Sequence, residues 1–194
     1  MDALQSDELL SAVFEDDAEH VRRLLDAGCP IAAHPRHGNT PLRMACQRNA
    51  LRALRALLEG GADPNERITF KSPVDKRVEQ DFTPLMYASS PQAIDLLVGH
   101  GADVNAISAT GLSSLMRFAH FGNAEAVQAL LSHAADTTLQ LHPRRGHKAR
   151  TALELCQEGL KLWESIPQEG LKPEAEELID GYRRTQVLLA ATAS

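Results

Sequence analysis

A pattern that returns four times, at intervals of about 33 residues, constrains this chain more than any single residue does. Its clearest tag is Gly-Ala-Asp, at Gly61-Ala62-Asp63 and Gly101-Ala102-Asp103. Ala134-Ala135-Asp136 is an altered third copy, and Gly28-Cys29-Pro30 an earlier one. The steps between these tags are 33, 40 and 33 residues. A second tag opens each unit: Thr40-Pro41-Leu42, Thr83-Pro84-Leu85, Ser113-Ser114-Leu115 and Thr151-Ala152-Leu153. An apolar pair stands just before each Gly-Ala-Asp tag: Leu24-Leu25, Leu57-Leu58, Leu97-Val98 and Leu130-Leu131. A fixed period of this length specifies stacked units, each burying its apolar face only against its neighbours. Function is then to be sought on a surface rather than in a single catalytic pocket.

Composition agrees with small packed helices. The chain is 43% hydrophobic but only 4% aromatic, which suits Leu and Ala in close helix contacts. A net charge of −6 argues against a general nucleic-acid binder, because phosphate neutralisation needs clustered excess Lys and Arg. The start, Met1-Asp2-Ala3-Leu4-Gln5-Ser6-Asp7-Glu8, has neither the positive charge nor the apolar run of a secretory signal. No stretch approaches the roughly 18 apolar residues of a membrane span. A cytoplasmic protein is expected. Cys29, Cys46 and Cys156 lack metal-ligand spacing and read as reduced core thiols.

Each unit can be read as two helices and a returning segment. Thr40 and Thr83 are expected to be helix N-caps, with Pro41 and Pro84 at the first helical position. A short first helix follows, then a turn at Asn49 or Gly122-Asn123, then a second helix. Leu51, Leu54, Leu57 and Leu58 in one unit, and Val127, Leu130 and Leu131 in another, give that second helix one apolar face. Gly61 and Gly101 are expected to end it in a left-handed cap.

Thr-Pro-Leu-x-x-Ala, the Leu-Leu pair and Gly-Ala-Asp-x-Asn (Gly61 to Asn65, Gly101 to Asn105) together resemble the ankyrin repeat, over about residues 6–155. The resemblance implies an all-α solenoid of about four to five helix-turn-helix repeats, with capping helices at both ends and two enlarged finger loops. One domain, 1–194, would comprise an N-cap repeat (1–31), central repeats (32–65, 66–105, 106–138), and a degenerate repeat with a C-terminal cap (139–194). The Ala/Leu/Arg-rich composition suggests a small, free-standing bacterial array.

The chain departs from the family pattern in several places. The family's usual His after Thr-Pro-Leu, which hydrogen-bonds back to the Thr, is replaced by Arg43, Met86, Met116 and Glu154. That bond is therefore expected to be missing, leaving more of the stability to packing. Leu85 to Gly101 is 16 residues against 19 from Leu42 to Gly61, so one helical turn is lost near Ser89-Ser90-Pro91. At the C-terminus a helix from Thr151 to near Ile166 leads to a loop marked by Pro167, Gly170 and Pro173. A closing helix from Glu174 is expected to bury Leu178, Ile179, Tyr182, Val187 and Leu189.

Two returning segments are long. Gly28 to Leu42 and Gly101 to Leu115 each span 14 residues, whereas Gly61 to Leu85 spans 24 and Ala134 to Leu153 spans 19. Both enlarged fingers are basic in an acidic protein, with Arg67, Lys71, Lys76 and Arg77 in one and Arg144, Arg145, Lys148 and Arg150 in the other. Insertions in a repeat array map to one face, often the binding face. The resemblance implies that a partner lies against these fingers and the exposed side of the first helices, adding Arg36, Arg48, Phe82, Leu112, His120 and Phe121. Phe82, Leu112 and Phe121 would be apolar anchors among cations. For Phe82 the alternative is a place tucked under the long finger.

No motif for covalent or metal chemistry is present. Gly-x-Ser-x-Gly, Gly-x-x-x-x-Gly-Lys and His-Glu-x-x-His are all missing. His34 with His37, and His142 with His147, lack a carboxylate or thiolate at ligand spacing, so they read as surface residues and no cofactor or metal is expected. The sequence thus reads as a non-enzymatic protein-protein interaction module, monomeric when free, binding one partner with an acidic patch. The specific expectation is an inhibitor or immunity protein neutralising a toxin. An adaptor or a secreted effector acting on a host protein is the alternative, and an enzyme with an unrecognised site the alternative of another class.

Overall fold

The computed structural model describes residues 3–31, 39–71, 78–88, 90–142, 148–166 and 173–192. They fall into two compact units, Met1–Asp103 and Val104–Ser194. Both are built from paired helices, so the fold is the helical repeat architecture that the tags specify.

In the first unit α1 (Ala3–Phe14) and α2 (Ala18–Asp26) form one pair, and α3 (Pro41–Arg48) and α4 (Leu51–Glu59) the next. Hairpin strands β1 (Ile68–Lys71) and β2 (Val78–Phe82) follow, then a single 3₁₀ turn (Pro84–Tyr87) and α5 (Pro91–Gly99). Their starts are set by capping side chains. Thr40 Oγ1 accepts from the Arg43 N–H at 3.0 Å with Pro41 in the first turn, and Asp17 Oδ1 accepts from the His20 N–H at 3.0 Å. Ser90 Oγ accepts from the Ala93 N–H at 3.2 Å. The shortened unit is as expected: a 3₁₀ turn stands where the first helix would be, and α5 begins at Pro91. Thr83 precedes that turn, but its hydroxyl makes no cap bond. Gly61 and Gly101 end α4 and α5 at φ +91°, a conformation that costs an L-residue strain. First helices pack on first helices (α1 on α3) and second on second (α2 on α4, α4 on α5). The seam is filled by Leu42, Leu54, Leu57, Leu85, Ile94 and Leu97, all fully buried.

Two features go beyond the expectation. The Asn of the Gly-Ala-Asp-x-Asn tag is a rung between tags: Asn65 Nδ2 donates to the Gly101 carbonyl and Asn65 Oδ1 accepts from the Asp103 N–H, each at 2.8 Å. The long finger folds as an antiparallel hairpin rather than a plain loop, with Ile68 opposite Phe82 and Lys71 opposite Val78. The bond expected to be missing for want of His is also made by other means. Thr40 Oγ1 donates to Glu66 Oε1, while Arg43 donates to Asn39 Oδ1 at 2.7 Å and lies 4.9 Å from the centre of the Tyr87 ring.

The second unit contains α6 (Ser114–His120), α7 (Ala124–Ser132), α8 (Ala152–Glu164) and α9 (Pro173–Ala191). Ser113 caps α6 and Asn123 caps α7. Thr151 and Glu154 close a reciprocal capping box on α8, so the Glu standing in the His position has local work to do. Asn105 Oδ1 accepts from the Asp136 N–H at 2.8 Å, repeating the Asn65 rung. The Tyr182 hydroxyl donates to the His120 carbonyl, and its ring lies where side chains on Gly122 and Gly159 would stand. Val187 is not inside as expected but 69% exposed. The buried residues of α9 are Ile179, Tyr182, Thr185 and Leu189. They recur at three- and four-residue steps, which carry Thr185 inward and leave Val187 off the stripe.

Candidate functional site

Five of the residues expected to meet a partner, Arg36, Lys76, Arg77, Arg144 and Arg145, lie outside the described residues, as do His34, His37 and His147. The others divide between the two units.

In the first unit the aromatic anchor is not where the sequence put it. Phe82 is 7% exposed and packs on the Tyr87 ring with centroids 5.8 Å apart. The cause is a bulge: Phe70 pairs with Glu79 and Ile68 with Phe82, so β2 carries an extra residue, and Asp81 takes it up at φ +57°. That bulge leaves the following Phe82 facing in. Phe82 therefore holds the finger down and offers nothing to a partner. The finger is pinned at its polar side as well. The Tyr87 hydroxyl donates to Glu79 Oε2 at 2.6 Å, and Arg67 donates to the Asp81 carbonyl at 3.3 Å. Burial, and then the Glu79 carboxylate, push the Tyr87 hydroxyl well above its ordinary pKa, so it stays a donor. Arg67 and Lys71 remain exposed on the hairpin.

An aromatic not expected from the sequence is presented instead. Phe14, at the end of α1, is 54% exposed, and the Arg48 guanidinium lies 3.5 Å from its ring centre. The N-terminal repeat, α1 and α2, lacks a Thr-Pro-Leu tag, so Phe14 escaped alignment. The turn residue gives the register: Asp16, Asn49 and Gly122 are all left-handed, and Phe14 precedes Asp16 as His120 precedes Gly122.

In the second unit two of the expected residues, His120 and Phe121, come together. Phe121 caps α6 and is 53% exposed. The Arg117 guanidinium lies 5.5 Å from its ring centre, and the His120 ring 5.4 Å away. Burial lowers the His120 pKa below its ordinary value, Arg150 and Arg117 lower it further, and Glu158 opposes them. The His120 imidazole therefore takes up a proton less readily than a free one. Arg150 pairs with Glu158 and bridges its backbone to Leu141. Lys148, Arg150 and Lys161 line a shallow basic pocket of about 390 Å³ with Glu154 and Glu158. Leu112 is only half-buried, in a turn closed by the Leu112 N–H on Ser108 Oγ at 3.2 Å.

Among the described residues no three His, Cys, Asp or Glu side chains are placed to hold a metal ion, and no helix is long and apolar enough to cross a membrane. Burial pushes the Cys156 thiol up to about 11, and the Cys46 thiol higher, so neither is a nucleophile at neutral pH.

Comparison with known proteins agrees with the repeat reading. Over 126 residues the chain is 30% identical to NF-kappa-B inhibitor alpha of Gallus gallus, covering 64% of this chain and 39% of that protein. It is 29% identical over 135 residues to the B-cell lymphoma 3 protein homolog of Mus musculus, covering 68% and 29%. Against NF-kappa-B inhibitor epsilon of Homo sapiens it is 33% identical over 97 residues, covering 48% and 19%. The chain thus spans well under half the length of each of these relatives. The family model described as "Ankyrin repeats (3 copies)" matches residues 9–108, more than half of the chain, and with the paired helices, the Gly caps and the Asn rungs this places the chain in the ankyrin-repeat family.

Proposed function

We propose that this chain is a non-enzymatic inhibitor that acts by occupying a protein partner, and that Phe121 is its principal anchor. One observation carries the reading. A large apolar ring stands half in solvent, with Arg117 beside it and His120, Arg150 and Lys148 on its own unit. A half-exposed aromatic among Arg and His is the usual material of a binding hot spot, because it contributes contact area at small entropic cost. The cations favour a partner surface with an acidic patch, as the basic fingers do. Two relatives bear the name inhibitor, which supports occupancy over adaptor function. Neutralisation of a toxin is one form of such inhibition. A cytoplasmic monomer fits the reading.

The test is affinity capture from the cells that make the protein, with wild type, Phe121→Ala and Lys148→Glu as baits. A single stoichiometric partner held by wild type, lost with Phe121→Ala, and blocked in its own activity supports inhibition. Two partners held at once would mean an adaptor. Capture unaffected by Phe121→Ala would move the site elsewhere.

A further inference from the structure

The exposed ring of Phe121 has a counterpart in the other unit. Phe14 and Phe121 each stand at the end of a first helix, just before a left-handed turn residue, Asp16 at φ +54° and Gly122 at φ +65°. Both rings are half in solvent. Each also has an Arg guanidinium against it, Arg48 at 3.5 Å from the ring centre of Phe14 and Arg117 at 5.5 Å from that of Phe121. The routes differ, since Arg48 comes from the following first helix, α3, whereas Arg117 lies one turn back on α6 itself. One arrangement is thus built twice from different parts of the repeat. Want of acids does not force a cation onto a ring here. The chain has a net charge of −6, and Arg22, Arg52, Arg150, Arg183 and Arg184 each pair with a carboxylate. Arg48 is exposed and makes no ion pair among the described residues. The dipole of α3 accounts for a cation in its last turn, but not for its place on the ring. A guanidinium laid against a ring covers its flat face and leaves its edge, with the N–H donors, open to an acceptor.

We propose that Phe14 with Arg48, and Phe121 with Arg117, are two copies of one docking point, and that each receives the same partner element, an apolar side chain next to a single carboxylate. This rests on the reading of Phe121 as the anchor and extends it, since the chain then presents that anchor once in each unit. The apolar side chain covers the open part of the ring. The carboxylate accepts from the guanidinium edge, whose planar fork matches its two oxygens. Covering the ring also takes water from that edge, and a charge-assisted bond is stronger in drier surroundings, so the two contacts support each other. A run of acids fits the first unit worse than one carboxylate does, because Glu15 directly follows Phe14 and is exposed. A basic segment would be repelled by either guanidinium. One chain therefore takes up two copies of the element, one per unit.

The experiment uses the full chain with para-fluorophenylalanine at its five Phe positions and follows the fluorine resonances. The probe is a synthetic peptide, Ser-Leu-Glu-Ser with both ends blocked, added up to about 10 mM so that weak binding is seen. Each resonance is assigned by its loss when that residue is changed. The Phe14 and Phe121 resonances should both move and saturate, with affinities within about threefold of each other. Those of Phe82 and Phe118, which are buried, should stay where they are. Arg48→Ala should weaken binding at Phe14 about tenfold and leave binding at Phe121 unchanged. Phe14→Ala should melt as wild type does, because the ring is exposed, and should leave the Phe121 response intact. Peptides with Gln for Glu, or Ala for Leu, should each bind about tenfold more weakly at both rings. A response at Phe121 alone would overturn the paired docking points and leave the Phe121 anchor standing. A response at Phe14 alone would overturn the pairing and count against that anchor as well. A Gln peptide that binds as tightly as the Glu peptide would overturn the carboxylate as the recognised group. If neither ring responds, the proposal falls.

Discussion

The Thr40 hydroxyl donates to Glu66 Oε1 at 2.6 Å, across 26 residues of chain. The same oxygen accepts from the Arg43 N–H at 3.0 Å and so caps α3. One hydroxyl therefore starts a helix and ties that start to the segment leading out of the following helix. Glu66 is held in a largely desolvated place, and burial raises its pKa, with the Thr40 bond pulling the other way and Asp63 adding to the rise. The cross-link relies on a carboxylate that burial disfavours, which makes it testable by pH.

Glu66→Gln should keep the acceptor for Thr40 and remove the charge. Because the folded pKa lies above the unfolded one, the folded chain holds more protons between those two values. The contribution of Glu66 to stability is then full below the unfolded pKa and is lost as pH rises through the folded one. At pH 7 the variant should be as stable as wild type or more so, by roughly 1 kcal/mol at most, and the gap should close as pH falls toward 4.5. Urea melts at stepped pH measure this. A variant clearly weaker than wild type at pH 7 would show that the charge-assisted bond outweighs desolvation.

Leu57→Ala in α4 and Leu130→Ala in α7 should each destabilise by about 2–5 kcal/mol, since both side chains are fully buried. Each loss should spread through its own unit, because neighbouring repeats share the buried seam. Denaturant midpoints and amide exchange would show it. Wild-type midpoints in either variant would mean that the seam is not the main source of stability.

Two glycines in helices should respond to alanine with opposite signs. Alanine is the better helix former by about 1 kcal/mol. At Gly99, near the end of α5, nothing stands within 4 Å of the added carbon, so Gly99→Ala should raise the melting temperature slightly. At Gly181, in α9, the added carbon would collide with the Gly122 carbonyl oxygen, a backbone atom that cannot rotate away. Gly181→Ala should cost roughly 1–3 kcal/mol despite the propensity gain. Equal melting temperatures for the two variants would mean that α9 shifts freely on its neighbours.

The helices were legible in the sequence because each depends on local chemistry. Thr40-Pro41 sets a start, Gly61 sets an end, and the Leu spacing sets the face. Most of the unforeseen features depend on where the chain returns. Nothing near Phe82 in sequence announces that the Asp81 bulge turns it inward, and a run such as Ile68-Thr69-Phe70 reads as a finger loop until Val78–Phe82 is found beside it. Arg43 looked like a lost hydrogen bond because its substitute, Glu66, lies in the next repeat. Phe121 was legible because it sits at the end of a helix whose apolar stripe is already complete.

The long finger should not tolerate the shortening that its loop-like sequence invites. Removing Arg67–Glu79 would take away Ile68, which is fully buried, and Glu79, which accepts from the Tyr87 hydroxyl. Loop length itself costs little, so any loss reports these contacts. The truncation should lower stability by several kcal/mol, about as much as losing one large core side chain together with a buried bond. Ile68→Ala alone should account for about 2–5 kcal/mol of it. A truncated chain that melts as wild type does would reduce the hairpin to an ornament on unit one.

Phe82 and Phe121 look alike in the sequence and should behave as opposites. Phe82 is buried against Tyr87, so Phe82→Ala should destabilise by about 3–5 kcal/mol and affect binding only through the fold. Phe121 is 53% exposed, so Phe121→Ala should leave the melting temperature nearly unchanged. Its partner affinity should fall by about 2 kcal/mol or more if the ring is the hot spot. Lys148→Glu should act on the same partner mainly through the association rate, and its effect should shrink as salt rises, because the charge is exposed and screened. Stopped-flow association at stepped ionic strength, beside thermal melts of all three variants, separates these outcomes. If Phe121→Ala lowers the melting temperature as far as Phe82→Ala does, the exposed ring is structural and the anchor must be sought at Phe14 and Arg48.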